Sequence, residues 1–162
     1  MNLLIQRVTD ARVRIAGETI GQIGRGFLVL IGIRLSDDET AARSLAARTA
    51  ALRIFPDDAG RMNRSLRDIA GEVLAISQFT LVADTRKGNR PGFADAAPPE
   101  QAEPLYELYV KSLRETLGAD RVRTGRFGAD MQVELINDGP VTIALEQETG
   151  TAPRKIIRPG PA

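Results

Sequence analysis

Apolar and polar residues alternate from the start of the chain. Residues 2–8 and 11–16 read as strands flanking a Thr9-Asp10 turn, with Val13 and Ile15 alternating against Arg12 and Arg14. That is the period-two pattern of a half-buried strand. Residues 18–23 form a third short run, and Gly24-Arg25-Gly26 turns into 27–33, a continuous apolar run that suggests a central strand. Ser36 is a fair N-cap, with Glu39 completing a capping box. Ala41, Leu45, Thr49 and Leu52 then recur at helical spacing and predict an amphipathic helix to about Arg53.

Ile54-Phe55 leads into the strong turn chemistry of Pro56-Asp57-Asp58-Ala59-Gly60. Residues 72–79 read as the next strand, and a polar loop rich in Gly and Pro covers 83–98. Ala102, Leu105, Tyr106, Tyr109, Val110, Leu113 and Leu117 mark a second amphipathic helix, with Gly118 as its stop. Pro104 either sits in its first turn or kinks a helix begun near Pro98. Residues 120–123, 130–137 and 141–145 complete the pattern as strands. The expected fold is one α+β domain: a mainly antiparallel, barrel-like sheet with two helices over residues 1–146. Residues 147–162, with Pro153, Pro159 and Pro161, read as a disordered tail.

Composition narrows the chemistry. The 162 residues include neither Cys nor His. Their absence excludes disulfides, thiolate catalysis, Ser-His-Asp hydrolysis and the usual zinc and iron ligand sets. No cofactor or metal is expected. Net charge is +1, but the last twelve residues hold Arg154, Lys155 and Arg158 and no acid, leaving residues 1–150 slightly acidic. A case for nucleic acid therefore rests on local patches. The first residues lack a signal peptide's charged start and apolar core, and no run nears the ~20 residues that span a bilayer. The simple expectation is a cytoplasmic protein without membrane contact.

Most candidate motifs have plain explanations. Asp37-Asp38 and Asp57-Asp58 fall at a helix start and in a turn, where carboxylates satisfy backbone N–H groups. Residues 21–26 have G-x-x-G-x-G spacing without the βαβ context of a dinucleotide site. Residues 124–128 resemble a KH-type GXXG, but strands flank them instead of helices. Three basic groups stand out: Arg61, Arg64 and Arg67; Arg86, Lys87 and Arg90; Arg121, Arg123 and Arg126. Each alone reads as solvated surface, and two converging could hold phosphates. Ser77-Gln78-Phe79-Thr80-Leu81 is less ordinary, because it sets polar side chains at the end of an apolar strand. Asn137-Asp138-Gly139-Pro140 reads as a hairpin turn between two strands. An X-Pro bond is cis in only ~5–6% of cases, so the sequence alone does not argue for cis.

Six strings occur in order: IQRV with Arg7, Met62-Asn63, the Ser77 to Leu81 segment, Arg90-Pro91-x-Phe93, Thr124-Gly125-x-Phe127-x-Ala129-Asp130-Met131, and Asn137 to Thr142. Together they resemble the D-aminoacyl-tRNA deacylase family. The resemblance implies a homodimer with composite sites, in which a cis Gly139-Pro140 reaches into the partner's pocket and Arg7 holds that loop. It implies a pocket floor of Ser77, Gln78, Phe79 and Thr80, with Met131 beside the substrate. The implied substrate is the ester joining a D-amino acid to the 3′-terminal adenosine of tRNA. Glycine is achiral, so glycine mischarged on tRNA-Ala is expected to pass as well. Thr80 has no imidazole to activate it, which points to the ribose 2′-hydroxyl as the group assisting hydrolysis. A non-catalytic RNA-binding dimer and a general Thr-dependent esterase remain as alternatives.

Overall fold

Strand β1 (Asn2–Ile15) organises the molecule, because three other strands pair with it, all antiparallel. Its first half lies against β3 (Gly26–Gly32) and its second half against β2 (Glu18–Ile23). Strand β8 (Gln132–Glu146) runs along its other edge. The computed structural model describes residues 1–86 and 88–147. Lys87 and all of the expected tail except Gln147 lie outside the described residues.

Beyond β3 the pairing changes sense. Strand β6 (Glu72–Ser77) lies parallel to β3, and β7 (Val122–Thr124) lies parallel to β6. Each parallel step needs a long crossover. Helix α1 (Glu39–Ala51) lies in the first and α2 (Pro99–Leu117) in the second. The α+β class and two helices match the sequence reading, but the sheet is mixed. It is also nearly closed: a Cβ placed on Gly21 in β2 would lie 2.8 Å from the Thr124 carbonyl of β7. A small hairpin of β4 (Phe55–Pro56) and β5 (Met62–Arg64) stands apart.

Both faces of the sheet are buried, which explains the unbroken apolar run in β3. Phe27, Val29 and Ile31 face the helices with Met1, Leu3, Ile5, Val73 and Ala75. Leu28, Leu74 and Ile76 face the interior of the curled sheet with Val8, Ala11 and Val13. Alternation along β1 holds from Ile5 to Val8, three residues apart and on opposite faces, and breaks between Val8 and Ala11, which share the interior face. The break coincides with the second of two register shifts against β8. The predicted Thr9-Asp10 turn is one of these irregularities in a continuous strand. Polar, exposed residues there signalled a departure from the ladder, and the kind of departure was misread.

Three other boundaries differ. Helix α1 is capped by Asp38, whose side chain accepts from the Ala41 N–H at 2.9 Å, and not by Ser36. Asp37 turns inward to the Met1 amine and the Arg34 N–H. Helix α2 starts at Pro99 and carries Pro104 inside it on an exposed face. Residues Ala119–Arg121 form a 3-10 turn, shortening the predicted strand to Val122–Thr124.

The two helices meet through a buried hydroxyl pair. Thr49 Oγ1 donates to the Leu45 carbonyl at 2.8 Å, so the Tyr109 hydroxyl, also 2.8 Å away, donates to Thr49. Burial raises the Tyr109 phenol pKa and keeps it protonated. Thr49→Val will leave the Tyr109 hydroxyl without an acceptor, whereas Tyr109→Phe leaves Thr49 bonded to Leu45. Urea denaturation should therefore show the larger loss, about 1–3 kcal/mol, for Thr49→Val.

Candidate active site

Ser77 ends β6 beside the last residues of β3, and the Gln78 N–H donates to the Ile31 carbonyl at 2.7 Å. The chain then enters a single 3-10 turn, Phe79–Val82, so the strand predicted to reach Phe79 stops two residues earlier. Leu81 N–H donates to the Gln78 carbonyl at 3.2 Å, and Asn2 Nδ2 reaches from β1 to the Leu81 carbonyl at 3.2 Å. The N–H groups of Phe79 and Thr80 precede the turn's first acceptor geometry, so the turn itself leaves them unpaired.

Above this segment lies a cavity of about 540 Å³. Ser77, Gln78 and Phe79 form one side, with Ile31, Ile33 and Ile76 behind them. Pro99 and Ala102 at the start of α2 form a second wall, and residues 127–131 a third, ending in Met131. Asp130 is the one ionisable residue lining it, on an exposed position. The walls are thus mostly apolar, with polar side chains and backbone on the floor. Phe79 is 58% exposed at the rim and meets Phe93 edge-on, ring centroids 5.0 Å apart.

Thr80 is exposed and does not line the cavity. Its hydroxyl accepts from Gln78 Nε2 at 2.5 Å. An amide N–H cannot take a proton, so this contact positions Thr80 without activating it. Tyr106, tilted against Phe127 at 5.9 Å, donates to the Ala75 carbonyl at 2.9 Å. Burial pushes its phenol up to about 12, making it a structural strut under the cavity wall.

Arg7 and Gly139-Pro140 lie elsewhere. Gln6 pairs with Thr142 and Val8 with Asn137, so residues 138–141 of β8 bulge out opposite the single residue Arg7. The predicted hairpin between two strands is therefore a wide bulge within one long strand. Arg7, only 9% exposed, donates Nε to the Asp138 carbonyl at 3.0 Å and Nη1 to the Ile54 carbonyl at 2.6 Å. Asn137 Oδ1 accepts from the Val141 N–H at 2.9 Å, closing the base of the bulge. The Gly139-Pro140 bond is cis, and both residues are exposed. Arg7 pairs with Phe27, four to six residues along β3 from Ile31 and Ile33. At ~3.3 Å per residue that is roughly 13–20 Å from the chain's own cavity.

The structure thus brings Ser77, Gln78, Phe79 and Met131 together, sets Thr80 just outside, and holds Arg7, Gly139 and Pro140 at a separate place. Missed from the sequence were Pro99 and Ala102, which reach the cavity only through long-range packing, while Phe127 and Ala129 stood in one of the family strings without being assigned to the site. Asp57-Asp58 is structural: Asp57 is held below its ordinary value chiefly by the Arg61 backbone N–H, and Asp58 pairs with Arg64 at 2.6 Å. Among the described residues no group of acids could hold a metal ion, and no helix is long and apolar enough to cross a membrane.

Known proteins resemble this chain in sequence and in fold. The family model described as D-Tyr-tRNA(Tyr) deacylase matches residues 4–146. A D-aminoacyl-tRNA deacylase of Symbiobacterium thermophilum is 55% identical over 148 residues, 91% of this chain and 97% of its own length. One from Roseiflexus sp. is 55% identical over 154 residues, 95% and 98% of the two chains. Among solved structures, a c-Myc DNA unwinding element binding protein superposes with TM-score 0.87 at 44% identity, covering 91% of this chain and 99% of its own. A probable eukaryotic D-amino acid tRNA deacylase shares the fold, with TM-score 0.78 at 17% identity over 89% and 97% of the two chains.

Proposed function

The chain belongs to the D-Tyr-tRNA(Tyr) deacylase family and is a hydrolase acting on D-aminoacyl-tRNA, and from that premise we propose how its residues divide the work. The aminoacyl-adenosine end of the tRNA enters the cavity above Ser77, Gln78 and Phe79, with Met131 against it. Water attacks the ester carbonyl carbon, and the oxyanion is met by the N–H groups of Phe79 and Thr80. The bond to the ribose 3′-oxygen then breaks, that oxygen takes the proton, and free D-amino acid and tRNA leave. Oxyanion donors of this kind are typically worth ~3 kcal/mol each. The observation that carries this reading is the cavity floor, where Asp130 is the one ionisable lining residue and the Thr80 hydroxyl accepts from an amide, Gln78 Nε2, that cannot serve as its base.

The protein works as a homodimer in which each bulge of residues 138–141 enters the other subunit's cavity. Three observations support exchange. The bulge lies too far from its own cavity, its tip faces solvent, and Arg7 braces it from behind. Exposed Met62 and Ile136 lie beside the elements that hold the bulge, while exposed Phe79 and Phe93 rim the cavity. A two-fold pairing covers both patches. In the composite site the rigid Gly139-Pro140 backbone binds the α-ammonium and fills the space an L side chain needs. Selection then works by excluding L, so D side chains of many sizes, and glycine, are accepted. This reading places the protein in the cytoplasm, with aminoacyl-tRNA.

One assay tests the whole: D- and L-aminoacyl-tRNA are compared with a small acyl ester, and the mass in solution is measured by sedimentation. Selective loss of the D ester by a dimer is expected. Cleavage of the small ester at a similar rate would favour a simple esterase. In addition, Thr80→Ala should keep turnover within about tenfold of the parent, since a positioning contact is all it loses. Near-total loss would make Thr80 the nucleophile.

A further inference from the structure

We propose that Arg126 and Arg123 form the track on which the acceptor-arm phosphates of the tRNA lie as its end enters the cavity. This inference rests on the deacylase reading. The sequence offered three basic groups, and the structure separates them. Two have arginines occupied by neighbouring carboxylates, Arg61 with Asp57 at 3.4 Å, Arg64 with Asp58 at 2.6 Å, and Arg86 with Asp84 at 2.8 Å, which leaves one arginine of each, Arg67 and Arg90, without a side-chain partner among the described residues. The side chains of both Arg123 and Arg126 are without a hydrogen-bond or ion-pair partner among the described residues, and both residues are exposed.

Their place in the fold is specific. Arg126 opens a turn closed by the Ala129 N–H on its carbonyl at 3.3 Å, and the residues that follow it, 127–131, are the cavity's third wall. Arg126 is thus exposed at the position where this wall begins. Arg123 lies three residues back on β7, the last strand of the sheet, opposite Leu74. At ~3.3 Å per residue it continues the positive charge about 10 Å away from the rim. Lys111 and Arg114 line a groove behind Phe127, but Glu103 and Glu107 share that groove and cancel their charge. A flexible single strand leaving the cavity thus meets two arginines along β7 that no carboxylate pairs, past Asp130 as the one acid on the cavity wall. Phosphate contacts of this kind add affinity without reading sequence.

The test compares the parent protein with Arg123→Glu, Arg126→Glu and the double variant, and with Arg90→Glu in the loop that carries Phe93. Binding of uncharged tRNA is measured against salt, and hydrolysis is measured on D-aminoacyl-tRNA and on D-aminoacyl-adenosine, which has no phosphate. The double variant should bind tRNA on the order of tenfold more weakly at moderate salt. Each reversal should flatten the log–log salt dependence by about 0.7 for a single-stranded contact. Cleavage of tRNA should fall in parallel, and cleavage of the adenosine ester should stay at the parent's rate. Unchanged tRNA binding, equal loss on both substrates, or a loss confined to Arg90→Glu would each overturn the track. Should the parent bind tRNA through this track yet leave the D ester intact, the deacylase reading fails and the track stands.

Discussion

A D-aminoacyl-tRNA ending in 2′-deoxyadenosine will stay acylated while its ribose counterpart is hydrolysed, with a rate ratio of about 10²–10⁴, the usual range for one general acid–base group. The expectation follows from what the cavity lacks. Among its lining residues only Asp130 can ionise, and it is exposed. Ser77 and Gln78 can orient a water molecule, but neither takes a proton near neutral pH. Thr80 is held by an amide donor. The remaining candidate is the hydroxyl adjacent to the ester on the substrate itself. Single-turnover rates on the matched pair decide the matter. Equal rates would require a protein base and would send the search to Asp130.

The second large effect is expected from Gly139→Ala. Gly139 has φ +127°, a region L side chains rarely adopt, and an added Cβ would lie 2.9 Å from Arg7 Nη2 and 2.8 Å from the Val141 side chain. The bulge must shift to admit it. If the tip completes the partner's site, a displacement near 1 Å costs about 10²-fold in D-ester hydrolysis, and the protection of L-aminoacyl-tRNA weakens with it. The strained backbone costs about 1–3 kcal/mol of stability as well, so a denaturation curve must show the variant folded at the assay temperature. Rates on both enantiomers, with that curve as control, give the answer. Unaltered rates and selectivity would remove the bulge from the site. Arg7→Ala would be a poorer probe, since it strips a partner from two carbonyls, Ile54 and Asp138, and destabilises the fold as well.

The parts of the fold legible in the sequence are those set by local pattern. The alternation in β1, the helix-period apolar residues of α1 and α2, and the Gly118 stop all have near-neighbour causes. Whether β3 meets β6 parallel or antiparallel depends on a crossover through α1, which no short window reports. The continuous apolar run at β3 was the clue, because such runs mark strands covered on both faces. The same limit governed the site. Polar residues ending β6 announced its floor, and Phe127 and Ala129 stood in a family string, while Pro99 and Ala102 carry no mark that separates cavity wall from ordinary packing. At residues 138–141 a Gly-Pro pair between apolar stretches fits a hairpin and a bulge equally well. Only the continued pairing of β8 along β1 distinguishes them.

Asn2 and Arg7 sit on one strand, five residues apart, the first steadying the Phe79–Val82 turn and the second clasping the bulge. If the proposed exchange between subunits holds, this rod of main chain acts as a gauge between what a subunit receives and what it lends. In a symmetric pair the two gauges are identical, so both clefts are set to the same tolerance. A single inserted residue between positions 2 and 7 would spoil them together, however intact each looked alone.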